Sequence, residues 1–511
     1  MMPMRTSAAA LRRAFEEHPF ITVLILGAAL RLITAIFSQG FLAVDDHHVL
    51  VDAAERLASG QGLEVAHRRS ILYPGAVALV MRAMEAVGDS SPHHQMLVIR
   101  LLQAAFSVLD IYFVYRMLER IASLRAARLG GLLVATCFVL PITSVHQFEE
   151  TVCQVPLLAA VYWALRAEGE RRGAMFAALS GMALGVALVL RFPLIPFVAP
   201  FALMVVCRPR LGWRRAHFVL SLAAVLTLQG FSNHLINHEW WYSFRSYYGP
   251  LFHWPAEALT PQGSYPQGEP WTYAAALLGI FIPPFSVLFA AAAARGGTHS
   301  PLLGVPTLTF LLAISVIANR QERFLLPVLP IIILLAALGF QVVETWFARR
   351  AWRSAYRALW TYYWAVNSVL VVAAAFVYGK KDRVAPLVFV QARHDATGVV
   401  VAEYTYGFPV PGYYLGQPRP QVFVFEDRTR VVQDAQAVRA ANPPANYLIL
   451  YSDSVEVDEA RLERALGARL RRDAVIGPSL GDELAHVINP RRNHATRAVV
   501  LSLEPRAPAP R

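Results

Sequence analysis

Residues 21–48, ITVLILGAALRLITAIFSQGFLAVDDHH, run an apolar stretch straight into two acids and two histidines. Arg5, Arg12 and Arg13 precede the stretch and no small-residue cleavage site follows it, so a retained signal anchor is expected rather than a removed signal peptide. The same apolar character recurs along the chain, which is 56% hydrophobic with a mean hydropathy of +0.41. Further runs lie at 98–117, 129–142, 152–165, 174–190, 194–207, 218–235, 271–292, 302–318, 325–343 and 359–378, most near the roughly 20 residues that a bilayer core requires. The composition excludes a soluble fold. It predicts a mainly α, polytopic membrane protein with about 11 transmembrane helices.

Orientation follows from arginine, because short cytoplasmic loops retain basic residues. Arg120, Arg125 and Arg128 follow the second run, Arg166, Arg171 and Arg172 the fourth, Arg208, Arg210, Arg214 and Arg215 the sixth, and Arg349, Arg350, Arg353 and Arg357 the tenth. Every second loop is basic. The net charge of +12 is then an arginine collar facing anionic lipid heads, and nucleic acid is not an expected partner. Lys380 and Lys381 are the only lysines among 47 basic residues, a bias typical of a GC-rich bacterial genome, and no Asn-x-Ser/Thr acceptor occurs. The expectation is a bacterial inner (plasma) membrane protein with its active site facing the periplasm or exterior. Cys137, Cys153 and Cys207 fall inside apolar runs and read as small buried residues.

The outward face carries most of the ionisable residues. In the first outward loop, 39–97, a helix over 45–58 is predicted to set Asp45, His48, Asp52 and Glu55 on one face. Asp45 there is either a helix cap or a functional acid. Residues 71–87 are apolar but hold Pro74, Arg82 and Glu85, which predicts a helix lying in the membrane interface. Between the third and fourth runs, His146 and Glu150 are expected one turn apart on one face, and the adjacent Glu149 and Glu150 repel each other unless a cation relieves them. Arg191 interrupts the next outward turn, where it either snorkels to lipid or holds a phosphate. The third outward loop, 233–270, is rich in aromatics, among them Tyr247 and Tyr248, and suits either an interfacial belt or a sugar platform. Arg320 and Arg323 flank Glu322 at the mouth of a later helix, as a loop salt bridge or an anion site. Arg31, inside the first run, is expected to pair structurally with a neighbouring helix.

Four strings carry a family resemblance. NRQERFLLPVLP at 319–330 resembles the HKExRF-type motif and Pro-containing helix of the lipid-phosphate-mannose-dependent mannosyltransferases of N-glycan and GPI-anchor synthesis, members of the GT-C superfamily. VDDHHVLVDAAERLASGQGLE at 44–64 is similar to that family's early Pro-Asp-Glu segment, RRSILYPG at 68–75 to its Arg-Ser-x-x-Tyr/His-Pro segment, and RFP at 191–193 to its Arg-Pro-Thr turn. Val44-Asp45-Asp46 replaces Pro-Asp-Glu, and Asn319, Arg320 and Gln321 replace His, Lys and Glu of the late motif. The resemblance implies inverting transfer of a sugar, mannose first and arabinose, glucose or an aminosugar next, from a polyprenyl-phosphate donor to a hydroxyl of a glycan, glycolipid or protein acceptor outside the cytoplasm. It implies Asp45 as catalytic base with Asp46 beside it, and Arg191, Arg320 and Arg323 on the donor phosphate. His47, Arg69, His146, Glu149, Glu150, Tyr247, Tyr248 and Glu322 are the further candidates for contact with the substrates. No metal ligand set or cofactor is obligatory, although the acidic cluster is compatible with a divalent cation. A membrane transporter is the competing class, and it would show matching halves with interrupted helices.

After residue 379 the character changes. Beta-prone runs at 399–403, 421–426, 447–451 and 498–503 and an amphipathic helix over 458–472 predict an extracytoplasmic α/β domain over 380–504, with a disordered Pro-rich tail at 505–511. Residues 1–379 form the expected transferase domain.

Overall fold

A backbone removed from water has to satisfy its own polar groups, so the apolar runs become helices. The computed structural model describes residues 15–43, 47–61, 69–253, 268–317, 319–349, 352–406, 408–425, 431–452, 454–488, 490 and 493–505. Among these, six helices are long and apolar enough to cross a membrane: Pro19–Phe37, Pro92–Ile121, Gly173–Leu190, Arg214–Asn237, Glu322–Arg349 and Arg353–Ala375. Two bent pairs raise the number to eight if each is one span, Leu124–Thr136 with Val139–Val145 and Thr272–Ile280 with Phe285–His299. The remaining expected runs form shorter helices, Gln154–Ala167, Ile195–Val206 and Pro301–Val316. The chain divides into two compact units. One is Met1–Ala35, Gly62–Ala76 and Arg100–Ala375; the other is Ile36–Gln61, Val77–Ile99 and Phe376–Arg511.

In the first unit the helix breaks are satisfied from other spans. Leu124–Thr136 ends with carbonyls that have no partner further along the helix. Arg31 donates to Val134 O (3.3 Å) and Ala135 O (3.4 Å), while Asn367 donates to Thr136 O (2.8 Å) and accepts from Phe138 N (3.1 Å). Arg31 also donates to Ser107 Oγ (3.0 Å), so this buried arginine is a structural tie, as its sequence position suggested. Small residues bring other helices together. A Cβ on Gly296 would lie 1.8 Å from Leu335 O, and one on Gly339 would lie 1.9 Å from Ala292 O, so neither position admits a side chain. The helix Leu72–Ala86 forms where an interfacial helix is expected, and Leu79 on it and Val87 just after it are exposed.

The second unit holds a five-stranded sheet. Strands β1 (Gln39–Gly40) and β2 (Tyr378–Gly379) form a separate parallel pair; β3 (Gly398–Ala402), β4 (Gln421–Phe425), β5 (Tyr447–Tyr451), β6 (Ala468–Ile476) and β7 (Ala498–Pro505) lie in the order β4-β3-β5-β7-β6. β3 pairs parallel with β4 and β5, whereas β7 pairs antiparallel with β5 and β6. Val400, Leu448, Leu450 and Leu501 pack with Ala435 and Val438 of the helix Val431–Ala440 and Leu462 and Leu466 of the helix Val455–Leu466. Val401, Ile449 and Val500, which alternate with them, are also fully buried, the mark of central strands covered on both faces.

One element was misassigned from sequence. The helix expected over 458–472 stops at Leu466, because Gly467 takes the left-handed conformation (φ 66°), and Ala468–Ile476 turns back as strand β6. That strand is at the sheet edge, where Arg469, Arg471 and Arg472 block edge-to-edge pairing; their charge is what disguised it as a helix face. Residues 506–511, most of the expected disordered tail, lie outside the described residues.

The early loop belongs to this second unit. His47–Val51 forms a π-helical turn that runs into the helix Asp52–Ala58, and His48 Nδ1 lies 3.1 Å from Asp52 Oδ2. Arg419 pairs with Glu55, and Gln417 donates to Glu55 Oε1 (2.9 Å). His47 is stacked between Phe41 (centroids 4.6 Å apart) and Tyr414 (5.2 Å), with no hydrogen-bond partner for either ring nitrogen among the described residues. Burial pushes its imidazole down to about 3, with Asp52 opposing and His48 adding to the shift. From about pH 6.5 down to 3 the unfolded chain therefore binds a proton here that the folded chain does not, so stability falls on acidification. Going from pH 6.5 to 5 is expected to cost about 2 kcal/mol at this residue. His47→Phe, which keeps the stack, should remove that share of the slope in thermal melts at the two pH values; an unaltered slope would show that His47 is not the titrating group.

Candidate active site

The ionisable cluster of the first unit is built at helix interruptions. His146 and Phe148 are extended, and a new helix starts at Glu149, placing Glu149 and Glu150 in its first turn, where the helix dipole favours negative charge. The expected one-turn spacing of His146 and Glu150 on a helix face is thereby overturned: the backbone is not helical between them. Arg191 is also extended (φ −144°, ψ 92°), because Pro193 two residues on forces a break between Gly173–Leu190 and the short 3-10 turn Phe192–Leu194. Arg323 lies in the 3-10 helix Glu322–Val328, which leads into Leu329–Arg349.

These breaks aim the side chains at one another. Arg191 Nη2 is 2.7 Å from Glu150 Oε1, Arg191 Nη1 is 3.8 Å from Glu149 Oε2, and Arg323 Nε is 3.8 Å from the same Glu150 Oε1. Arg69 pairs with Glu149. Both Arg191 and Arg323 lie over the Phe324 ring, at 5.1 and 5.6 Å. Exposure of the five charged side chains runs from 0% at Glu150 to 14% at Arg69, so their interactions are little screened. Burial pushes the Glu149 carboxyl up, while Arg69 and Arg191 hold it back. Within this cluster the three guanidiniums of Arg69, Arg191 and Arg323 face the two carboxylates of Glu149 and Glu150.

Neutral groups complete the wall. Gln103 donates to Tyr73 Oη (2.9 Å) and to His146 O (3.3 Å), Gln154 donates to Leu326 O (2.5 Å), and Ser70 donates to Gln229 Oε1 (2.8 Å). Tyr248 donates to Phe192 O (2.7 Å), and the Tyr247 ring lies 6.3 Å from that of Phe192, which joins the aromatic loop to the Arg191 turn. Sequence reasoning missed Gln103, Gln154 and Gln229; a lone glutamine in an apolar run was the available signal. Tyr73 was inside the quoted RRSILYPG string but was not singled out.

The other candidates are placed differently. Arg320 donates to Gly268 O (2.6 Å), Ser315 O (2.9 Å) and Val316 O (3.5 Å), so its guanidinium caps the carbonyl end of Pro301–Val316. Glu322 is exposed. Asp45 and Asp46 lie outside the described residues. His47 is held in the second unit. Among the described residues no three His, Cys, Asp or Glu side chains are grouped to hold a metal ion.

The model of the Alg9-like mannosyltransferase family matches residues 22–409, more than half of the chain. The chain belongs to this family. No curated protein matches by sequence. Solved structures with the same fold include ArnT from Cupriavidus metallidurans bound to undecaprenyl phosphate, with 13% identity, a TM-score of 0.58, and coverage of 95% of this chain and 98% of that one. The Archaeoglobus fulgidus oligosaccharyltransferase, in complex with zinc and sulfate, aligns at 12% identity and a TM-score of 0.52 over 87% and 69% of the two chains. The arabinofuranosyltransferase AftD from Mycobacteria aligns at 14% identity and a TM-score of 0.53, over 94% of this chain and 40% of that one. The fold of this Alg9-like family member is that of the GT-C glycosyltransferases, and the chain is an integral membrane protein.

Proposed function

We propose that this family member transfers a sugar, mannose in the first instance, from a polyprenyl-phosphate sugar to a hydroxyl of a glycan, glycolipid or protein acceptor on the extracytoplasmic face, with inversion. The observation that carries the reading is the convergence of Arg191 and Arg323 on one carboxylate, Glu150, and one ring, Phe324. Two guanidiniums held side by side suit a phosphate, which takes paired donors from each. Arg69 and Arg191 restrain Glu149, and Glu150 keeps the two outer guanidiniums from splaying.

In this reading Asp45, with Asp46 beside it, takes the proton from the acceptor hydroxyl while the acceptor oxygen forms its bond to the anomeric carbon. The bond from that carbon to the phosphate oxygen breaks with its electron pair, and polyprenyl phosphate leaves against Arg191 and Arg323. The leaving group carries its charge into fixed cations, so the step as drawn needs no metal. Arg320 supports it indirectly, by fixing the end of Pro301–Val316 ahead of the 3-10 turn. Mannose rests on the family model; the fold is shared with an arabinofuranosyltransferase, so the sugar is the part to test first.

The experiment is a panel of polyprenyl-phosphate sugars given to the purified protein, read by thermal stabilisation and by transfer, since a ligand that binds only the folded state raises its melting point. Polyprenyl-phosphate mannose is expected to give the largest shift, Arg323→Ala to weaken donor binding by about tenfold, and Arg323→Lys to restore only part of it. Failure of every polyprenyl-phosphate sugar to stabilise the protein would overturn the donor class.

A further inference from the structure

The helix Leu480–Ile488 in the second unit has an apolar face left exposed among the described residues. Leu480, Leu484, Val487 and Ile488 recur at i, i+4, i+7 and i+8, which puts them on one stripe, and they are 85, 61, 77 and 74% exposed. The opposite face is firmly held. Asp482 is buried and accepts from Lys380 N (2.8 Å), Lys381 N (3.1 Å) and Ser479 Oγ (2.8 Å), and Asn493 binds the helix through its O to His486 Nδ1 (2.6 Å) and its Nδ2 to Ala485 O (3.1 Å). A fixed helix with four large apolar side chains in water is costly, and such a patch marks an interaction surface.

The helix is tethered at the membrane exit. A Cβ on Gly481 would lie 3.4 Å from Val377 Cγ1, and Val377 is two residues beyond the Arg353–Ala375 span. Phe376, the first residue after that span, packs on Phe37, the last residue of the Pro19–Phe37 span (centroids 5.1 Å apart). Two extended residues reach about 7 Å, and the headgroup layer on each face of a bilayer is about 5–8 Å deep. The start of the helix is therefore within reach of that layer.

We infer that Leu480–Ile488 is an interfacial helix lying in the plane of the bilayer, with Leu480, Leu484, Val487 and Ile488 at the headgroup–acyl boundary. The occupant of the face is lipid. Four side chains of a nine-residue helix fall short of the roughly 800 Å² per partner that a stable protein interface buries, so a second copy is a poor alternative. Lipid needs no such area, because a helix of this kind sinks about 5–10 Å and its tether removes the cost of finding the surface.

The test uses the full chain in nanodiscs of phosphatidylcholine and phosphatidylglycerol. Cys207→Ala removes the exposed native thiol, Cys137 and Cys153 being buried, and Leu484→Cys or Glu483→Cys then carries an NBD fluorophore. The Leu484→Cys probe is expected to be quenched by lipid bearing a doxyl group near the headgroup at least about twofold more than the Glu483→Cys probe, and to be shielded from aqueous iodide. Leu484→Asp with Val487→Asp, read from a probe at Leu480→Cys, should lower lipid quenching by a similar factor; both substituted positions are exposed, so folding is not at issue. Full iodide access at Leu484→Cys would overturn the inference. Shielding from both quenchers would also overturn it, and would assign the face to a protein, a second copy included.

Discussion

Asp45→Asn is expected to lower transfer by roughly 10²-fold or more while donor binding is largely kept. An amide has nearly the size of the carboxylate and is as good a helix cap, so if Asp45 only caps a helix the change costs a few tenths of a kcal/mol and activity survives. A general base cannot be replaced in that way, since the amide has no affinity for the proton that the acceptor hydroxyl must lose. Asp46→Asn controls for local charge. Single-turnover transfer with polyprenyl-phosphate mannose, alongside thermal stabilisation by the same donor, separates the two roles. Near-normal transfer by a folded Asp45→Asn protein would end the assignment, and a loss confined to Asp46→Asn would move the base by one residue.

The second large effect is expected at Arg191. Its guanidinium reaches Glu150 at 2.7 Å and Glu149 at 3.8 Å where the carboxylates are 0 and 1% exposed. Arg191→Met leaves both in a buried site facing fewer cations, and loss of one partner from such a pair costs about 3–5 kcal/mol. Most of that penalty is an uncompensated charge. Arg191→Met combined with Glu150→Gln should therefore recover a large part of the melting temperature but none of the donor affinity. If Arg191→Met melts like the parent protein, the contacts with Glu149 and Glu150 are not holding the site together.

The membrane helices and the central strands were legible because their periodicity and composition are local properties. Tyr447–Tyr451 was read with its exact bounds, since a short β-branched and aromatic run between polar turns has few alternatives. The breaks were harder. Pro283 and Pro284 announce the 109° bend between Thr272–Ile280 and Phe285–His299, and Pro141, which cannot donate to the Cys137 carbonyl four residues back, marks the 56° bend there, but the side chains that satisfy that break, Arg31 and Asn367, arrive from distant spans. The site shows the same division. Glu149, Glu150, Arg191 and Arg323 each stood out locally, as a charge beside an apolar run, whereas their meeting is a tertiary fact linking position 150 to 191 and 323. Arg320 and Arg323 could not be told apart by spacing: one caps carbonyls and the other joins the acids, according to which way a 3-10 turn leaves the end of Pro301–Val316.

The pair of β1 and β2 has a consequence for biosynthesis. Gln39 pairs with Tyr378 and Gly40 with Gly379, and a Cβ on Gly40 would lie 1.9 Å from Gly379 O, so the seam closes only between two bare backbones. At about 5–20 residues per second, the ribosome delivers β2 roughly 20–70 seconds after β1. Through that interval the segment after the first span has no strand partner. An emerging chain thus inserts its first span long before Gln39–Gly40 meets its strand partner, and any product stopped short of Tyr378 leaves that pair unmade.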